Sequence, residues 1–421
     1  MRRGLYLLLA LFSLCAGAEE FSFDAAEFDK KTFEFGGYAE LKQEAYTLRP
    51  DSVLARLNFP DGRERLDRTT GIVELSGAWH LQEAVIDLRS HSEWVHDQRA
   101  SGDVQRIQEG GLHWMPGHEF SLDLGKRVQR WGKGYAWNPV GFIERAKDAD
   151  DPQQSREGYL MAGAEWVKSL DGPLTTLSLT ALAVPTHNDW NSDFGLPGHT
   201  NPAAKIYLLW HDTDIDLLWL GEGSRTARFG LDFSRNLGAN LEVHGEWARI
   251  FDQPRQETDN LGNVTQSTGD ADSWLLGLRY LTEREVTWIA ELYRNGTGYT
   301  ADALADFYTF ADAALTTGGA AATQAATLAQ VGYGRPNPGR DYLYLRASAK
   351  EPFDWLYFTP ALTAIANLDD HSYSLTPELS YTGITNLELR ARAAFTHGDR
   401  YTEFGEKPGK HRVEAYARWY F

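Results

Sequence analysis

The final eleven residues of the chain, His411-Arg-Val-Glu-Ala-Tyr-Ala-Arg-Trp-Tyr-Phe421, alternate with a period of two. The odd-numbered positions from Val413 to Phe421 are apolar or aromatic, and the even-numbered positions from Arg412 to Tyr420 are charged or phenolic. Because successive side chains of a strand point to opposite faces, this pattern predicts a strand with one apolar and one polar face.

The same alternation recurs along most of the sequence, for example over residues 70–80, 239–250 and 387–397. It predicts about 18 strands, and joining or splitting one weak hairpin would give 16 or 20. The strands are expected near residues 33–47, 70–80, 83–95, 106–115, 118–128, 158–170, 173–184, 203–212, 214–220, 225–236, 239–250, 271–281, 286–295, 341–349, 354–367, 372–383, 387–397 and 411–421.

The links between these strands tend to alternate in length. Short links include residues 116–117, 171–172, 212–213, 282–285, 350–353 and 383–386, whereas long links include 48–69, 129–157, 185–202, 251–270, 296–340 and 398–410. Tight turns at one rim and long loops at the other are typical of bacterial outer-membrane barrels. The alternation alone would also suit a soluble sandwich. The alternation of short and long links favours the barrel over the sandwich.

The N-terminus has the features of an export signal. Two arginines at positions 2 and 3 precede a short apolar run from Leu5 to Phe12, and small residues end at Ala18. We expect a signal peptide over residues 1–18, because the apolar run is too short for a stable membrane anchor. The only cysteine, Cys15, lies within that peptide. Residues 19–32 are acidic and irregular, and they predict a periplasmic tail or a short plug.

Composition excludes several classes of function. The formal net charge of −18 argues against a nucleic-acid partner, which requires a basic surface. The mean hydropathy of −0.44 argues against a helical membrane protein. The 14 tryptophans and 19 tyrosines suit the aromatic girdles of a barrel. Residues 33–421 are therefore predicted to form an all-β, transmembrane, up-and-down antiparallel β-barrel with short periplasmic turns and long extracellular loops.

The terminal strand and its ending Trp419-Tyr420-Phe421, together with the export signal, resemble outer-membrane porins of Gram-negative bacteria. The resemblance covers nearly the whole mature chain at the level of architecture. It implies a location in the outer membrane, with lipid and lipopolysaccharide around the barrel. It also implies that Phe421 belongs to the signal read by the barrel assembly machinery. The segment from Gly125 to Pro139 is similar to a pattern in uncharacterised bacterial barrels, and no substrate follows from it.

The link after the fifth predicted strand concentrates charge. Basic groups precede an acidic run there, and opposed charges at a narrow point of a pore select ions by charge. We expect this segment either to fold inward as a constriction or ligand-contact loop, or to cover the surface as a solvated loop. The constriction candidates are Lys126, Arg127, Arg130, Lys133, Arg145, Asp148, Asp150 and Asp151 in the link, with Glu242, Glu246, Arg390 and Arg392 on polar strand faces.

Other patterns of chemistry are weak. Asp148, Asp150 and Asp151 lack the further oxygen ligands and the glycine turn of a calcium loop. The histidines are scattered without a metal-binding spacing, and no nucleophile motif such as G-x-S-x-G occurs. We therefore expect no enzyme activity, no metal and no cofactor.

The leading hypothesis is a porin-like channel for passive or facilitated diffusion of a small hydrophilic solute. The alternative is a structural or export barrel that sheathes a periplasmic partner or guides a secreted polymer. The helix-prone residues 301–315 and the Ala/Thr/Gly-rich residues 316–330 motivate this alternative, because they could close the barrel from outside or fold into it. A barrel enzyme is a third reading. The sequence leaves the solute and the oligomeric state open.

Overall fold

The computed structural model describes residues 32–152, 154 and 156–421. The predicted signal peptide and all but the last residue of the predicted N-terminal tail lie outside the described residues. The described chain forms one sheet of 18 antiparallel strands, in which β1 pairs with both β2 and β18. The sheet is therefore closed on itself, and the prediction of an up-and-down antiparallel barrel of about 18 strands is confirmed.

The strands follow one another around the barrel in chain order. Their bounds are β1 Phe33–Leu48, β2 Arg65–His80, β3 Ala84–Asp97, β4 Ser101–Trp114, β5 Phe120–Arg127, β6 Tyr159–Ser169, β7 Leu174–Pro185, β8 Thr200–Trp210, β9 Thr213–Leu220, β10 Arg228–Asn236, β11 Leu241–Thr258, β12 Val264–Leu281, β13 Val286–Arg294, β14 Asp341–Ala349, β15 Phe358–Asn367, β16 Tyr373–Ile384, β17 Leu387–His397 and β18 Gly409–Tyr420.

The period-two pattern has the structural meaning expected of it. On β18, Val413 and Trp419 point outward and are 57% and 50% exposed, whereas Glu414 and Tyr416 point inward and are buried. Apolar side chains thus cover the outside of the barrel, and polar ones face the inside along this strand.

The two rims differ as predicted. Eight short links, such as residues 211–212 and 385–386, join strands at what we call the short-turn rim. The links at the other end, the long-loop rim, include residues 128–158 and 295–340. Both ends of the barrel chain lie at the short-turn rim. There Phe421 exchanges two backbone hydrogen bonds of 3.1 Å with Gly37, which closes the barrel.

One predicted long link is wrong. Residues 251–270 were expected to form a loop, but β11 runs to Thr258 and β12 starts at Val264, so most of this segment is an extended hairpin. Its strands pair only with each other beyond Ile250, and both faces carry polar residues. Without an apolar face, the segment lacks the alternation by which strands are recognised.

In the described part of the chain, four α-helices lie at the long-loop rim: α1 Val53–Asn58, α2 Ala301–Thr317, α3 Gly319–Leu328 and α4 Glu403–Glu406. A short π-helical turn, Ala329–Tyr333, follows α3, and a 3-10 turn, Pro352–Asp354, lies at the opposite rim. Helices α1 to α3 share an apolar cluster that includes Leu304, Phe307 and Tyr333. Residues 295–340 therefore form a helical cap. Within the described residues, none of the helices is both long and apolar enough to cross a membrane.

Candidate functional site

The described residues of the segment 128–158, between β5 and β6, fold into the barrel, and we call this segment the inner loop. Their apolar side chains are buried against inward-facing residues of β6 to β15. Trp131, Phe142 and Ile143 are at most 2% exposed. Of the two readings of this segment, inward folding is therefore the one observed.

The covered wall corrects one expectation about the strands. The lumen face was predicted to be polar, yet Leu182, Val184, Leu218 and Leu275 point inward and are buried beneath the inner loop or beside it. Apolar residues can face the inside here because they pack against the apolar side chains of the inner loop and are thereby shielded from water. The sequence alternation along these strands does not reveal which face the loop will cover.

Glu246 on β11 anchors the first half of the inner loop. Its Oε1 accepts hydrogen bonds of 2.6 Å from the backbone N–H groups of Lys133 and Gly134, and its Oε2 accepts one of 3.2 Å from Val140. Gly132 adopts a φ of +95°, and a Cβ there would lie 2.7 Å from Oε1 of Glu246. The glycine is therefore required both for the turn and for this close approach.

A second carboxylate, Glu291 on β13, binds the next turn of the loop. It accepts the backbone N–H groups of Tyr135 and Ala136, the latter at 2.9 Å, and contacts Nε2 of His244 at 3.0 Å. Glu246 and Glu291 thus satisfy five backbone donors that would otherwise be buried without partners. Charged acceptors make the stronger class of hydrogen bond, so these two residues fix the path of the loop.

Lys133 connects the loop to a pair of acidic side chains on adjacent strands. Its Nζ lies 2.9 Å from Asp216 on β9 and 3.8 Å from Asp232 on β10, and the two aspartates are direct partners in the sheet register. Both carboxylates are almost fully buried. Asp216 was not predicted as a site residue. Its position opposite Asp232 becomes visible only from the strand register.

The second half of the loop is held by buried charges of its own. The Glu144 carboxylate lies 2.6 Å from Arg156, and Nζ of Lys147 donates to the Asn138 side chain at 2.7 Å. Burial raises the pKa of Glu144 against the opposing effect of Arg156, and burial lowers the pKa of Lys147 against that of Glu144. The loop therefore carries an internal polar framework in addition to its anchors.

The far end of the loop reaches the wall at β17. Asp151 lies 3.2 Å from Arg390 and 3.1 Å from Arg392, and Arg392 also donates to the carbonyl of Asp150 at 2.8 Å. These partners are 239 to 242 residues apart in sequence. The loop therefore crosses from β5 to β17. The opposed charges expected to face each other across a gap are in direct contact here.

The wall from β16 through β18 and β1 to β5 carries charged side chains facing inward. They form ion pairs between adjacent strands, which include Arg392–Glu414 at 3.2 Å, Arg390–Glu378 at 2.6 Å, Arg418–Glu40 at 2.7 Å and Arg89–Glu109 at 3.0 Å. Arg127 on β5 reaches across β4 to pair with Asp87 on β3 at 2.6 Å. Acidic and basic groups alternate rather than gather on opposite sides. This part of the lumen is hydrophilic and mixed in charge.

The other predicted residues occupy several positions. Lys126 pairs with Glu157 at the base of the loop. Arg145 pairs with Asp193 at 2.8 Å, away from the charged wall. Arg130 is exposed on the loop, as is Asp148, which accepts the backbone N–H of Asp150 at 2.9 Å. Glu242 lines a small cavity of about 230 Å³ with Lys133, Lys147 and Arg279.

The helical cap is joined to its neighbours through Asp312 on α2. Its carboxylate pairs with Arg56 of α1 and Arg400 of the last long loop, and accepts the Tyr401 hydroxyl at 2.9 Å. Partial burial opposes ionisation, but the Tyr401 hydroxyl and the two arginines lower the pKa of Asp312 below its usual range. One carboxylate thus holds three segments of the long-loop rim together.

Among the described residues, no cluster of three or more histidine, cysteine, aspartate or glutamate side chains is placed to hold a metal ion.

Comparisons with known proteins find no matching family model and no matching curated protein. Solved structures that are similar include two engineered variants of the porin from Rhodopseudomonas blastica. They are 8% and 9% identical, with TM-scores of 0.46 and 0.45, and each comparison covers 92% of this chain and 100% of the porin. At this distance the assignment of the fold rests on the strand pairing of the chain itself.

Proposed function

We propose that this protein is an outer-membrane channel through which a small hydrophilic solute diffuses, and that the inner loop forms its constriction. The single observation that carries the proposal is the inner wall from β16 through β18 and β1 to β5, which is lined by paired charges and has no residue in the apolar clusters that pack the inner loop. Barrels of 16 to 18 strands are wide enough to hold an aqueous channel. A wall lined by paired charges favours water and polar solutes inside it.

The outer surface supports a membrane location. Exposed aromatic residues form two belts, one near each rim. The belt near the short-turn rim includes Phe35, Trp79, Trp210, Trp288 and Trp419, and the other includes Trp94, Trp219, Trp274, Tyr373 and Phe395.

The spacing of the belts fits the height of a bilayer core. Trp94 pairs in register with Gly71, and Trp79 lies eight residues further along β2, which is about 26 Å of extended strand. With the usual strand tilt this corresponds to a band about 20 Å high, close to the apolar band of outer-membrane barrels. Lipid and lipopolysaccharide would surround this band.

The position of Phe421 bears on how the barrel is assembled into the membrane. Its side chain is 42% exposed, lies beside Trp419 with ring centroids 5.2 Å apart, and faces the outside at the short-turn rim. This position leaves the terminal aromatic available to the barrel assembly machinery, and we propose that it acts as part of the assembly signal.

Single-channel recording of the purified full-length protein in a planar bilayer tests the channel. We expect discrete conductance steps in potassium chloride that scale with salt concentration. A barrel preparation denatured by heat is the control. The complete absence of conductance across 0.1 to 3 M salt, with insertion confirmed by protease protection, would contradict the proposal.

The alternative of a sheath or export barrel is distinguished by the cap. Deleting residues 301–330 should convert a barrel plugged by the cap from silent to conducting. For a diffusion channel with its constriction in the inner loop, we expect conductance already in the full chain and only a small change after deletion. A silent full chain that conducts after deletion would favour the alternative.

A further inference from the structure

A polar cavity lies at the long-loop rim, outside the lumen site described above. The hairpin of β11 and β12 projects beyond its neighbours, since β10 pairs with β11 only as far as Ile250 and β13 pairs with β12 only as far as Trp274. The projecting end is tied to the cap, where Thr258 N–H donates to the Tyr333 hydroxyl at 2.9 Å and the Gln324 amide donates to the Gly262 carbonyl at 2.7 Å. Between hairpin and cap is a cavity of about 550 Å³.

The lining of this cavity is rich in uncharged hydrogen-bonding groups. On the face of the hairpin that carries Arg255, its amide and hydroxyl groups belong to Gln253 and Ser267, and Thr297 and Tyr299 contribute hydroxyls from the segment after β13. Such groups both donate and accept, which is what the hydroxyls of a saccharide require. The volume lies within the range of small-molecule binding sites.

Two arginines and one carboxylate give the cavity a local excess of positive charge. Arg255 donates to the Gly296 carbonyl at 3.0 Å, while its buried Nε has no hydrogen-bond partner among the described residues. The guanidinium of Arg335 lies 5.8 Å from the ring of Tyr299 and is largely exposed. Glu257 is the only carboxylate among the lining residues. In a chain of net charge −18, a cavity with two cations and one anion is suited to an anion.

We infer that this cavity binds a small polyhydroxylated anion of the sugar-acid class. The carboxylate of the ligand would be held by Arg255 and Arg335, with the free Nε as one donor, and its hydroxyls by the surrounding amide and hydroxyl groups. A neutral sugar would leave the guanidinium donors unpaired, and a simple carboxylate would leave the amide and hydroxyl groups unpaired, so both should bind less tightly. Binding itself is independent of the channel, whereas a role in collecting the solute at the mouth rests on the proposed function.

Calorimetric titration of the full-length protein in detergent tests the inference. The probe is D-glucuronate, with D-glucose and acetate as comparison ligands. We expect glucuronate to bind at least tenfold more tightly than either. Absence of glucuronate binding at 10 mM would overturn the inference, and equal binding of glucose would overturn the assignment to an anion.

Variants locate the site. Arg335→Gln and Ser267→Ala, both at exposed positions, should each weaken glucuronate binding at least fivefold, and the two together by more than tenfold. Arg284→Gln, in the turn between β12 and β13 at the opposite rim, is the matched control and should bind as the parent does. Circular dichroism confirms that each variant is folded. Unchanged affinity in the folded double variant would place any binding elsewhere.

Recording from the same preparations separates the two proposals. Conductance in potassium chloride without glucuronate binding would overturn the cavity assignment and leave the channel intact. Glucuronate binding that is lost in the double variant, in a protein without conductance, would overturn the channel and leave the cavity assignment intact.

Discussion

Replacing Glu246 by alanine should release the first half of the inner loop. Glu246 is 4% exposed and accepts three backbone N–H groups of the loop, so its removal leaves three donors unpaired. Each buried donor left unpaired costs about 1–3 kcal/mol. Because the released loop can recover hydrogen bonds to water, we take the lower limit for all three, about 3 kcal/mol. That shifts the docking equilibrium more than a hundredfold, roughly.

A cysteine reporter measures this change. Ala136 lies in the first half of the inner loop and is fully buried, and the native chain has one cysteine, at position 15. In an Ala136→Cys background, we expect a membrane-impermeant maleimide to label residue 136 about a hundredfold faster when Glu246 is alanine, because labelling follows the population of the open loop. Glu246→Gln, which keeps one acceptor oxygen, should lie between the two.

The matched control is Glu119→Ala. Glu119 is an exposed carboxylate that pairs with Lys168 at 2.6 Å near the short-turn rim, so its loss should leave labelling unchanged. Labelling of the Glu246→Ala variant within about threefold of the parent would refute the assignment of Glu246 as the anchor, since threefold corresponds to less than about 1 kcal/mol.

Three further changes have defined outcomes. Asp151→Asn removes the carboxylate shared by Arg390 and Arg392, so the lumen gains positive charge. The reversal potential in a potassium chloride gradient should therefore shift toward anion selectivity. The control Asp171→Asn, in a turn at the short-turn rim, should leave the potential unchanged, and an unchanged potential in Asp151→Asn would contradict the prediction. Asp312→Asn should loosen the cap, because the lowered pKa of Asp312 means that its contribution is present above the usual aspartate range near pH 4 and is lost as pH falls through the lowered value. Thermolysin cleavage of the cap at pH 7 should therefore be faster in Asp312→Asn. Any difference between parent and variant in single-channel closures should disappear as the pH falls through the lowered pKa of Asp312. Phe421→Asp should impair assembly into the membrane while export continues, and Phe421→Tyr should assemble normally; a normal barrel yield from the aspartate variant would refute the role of the terminal aromatic.

The strand content could be predicted from the sequence because membrane-facing strands have a simple physical requirement. Every second residue of β18 from Val413 to Trp419 points outward, and each is apolar or aromatic. The same rule located all 18 strands, including β9 and β10, whose joining link is short. It failed for the projecting part of β11 and β12. Neither face of that segment contacts an apolar phase, so its residues need not alternate between apolar and polar.

The candidate site was only partly predictable. The charged residues of the inner loop were visible as a cluster, and Glu246, Arg390 and Arg392 as inward-facing strand positions. Their pairing was not, because the contact of Asp151 with Arg392 joins residues 241 apart and depends on the path of the loop across the barrel. The anchoring by Glu246 and Glu291 acts on backbone N–H groups, which carry no sequence signature.

The inner loop as constriction is tested most directly by blocking it during a recording. Gln154 is exposed near the loop tip, three residues after Asp151. In single-channel records of Gln154→Cys, addition of a bulky, water-soluble thiol reagent should produce a stepwise and lasting fall in conductance. The same reagent on Asp171→Cys, in an exposed turn at the short-turn rim, should have no effect. A conducting Gln154→Cys channel that is labelled completely, as shown by mass spectrometry, without any change in current would show that the solute does not pass the inner loop.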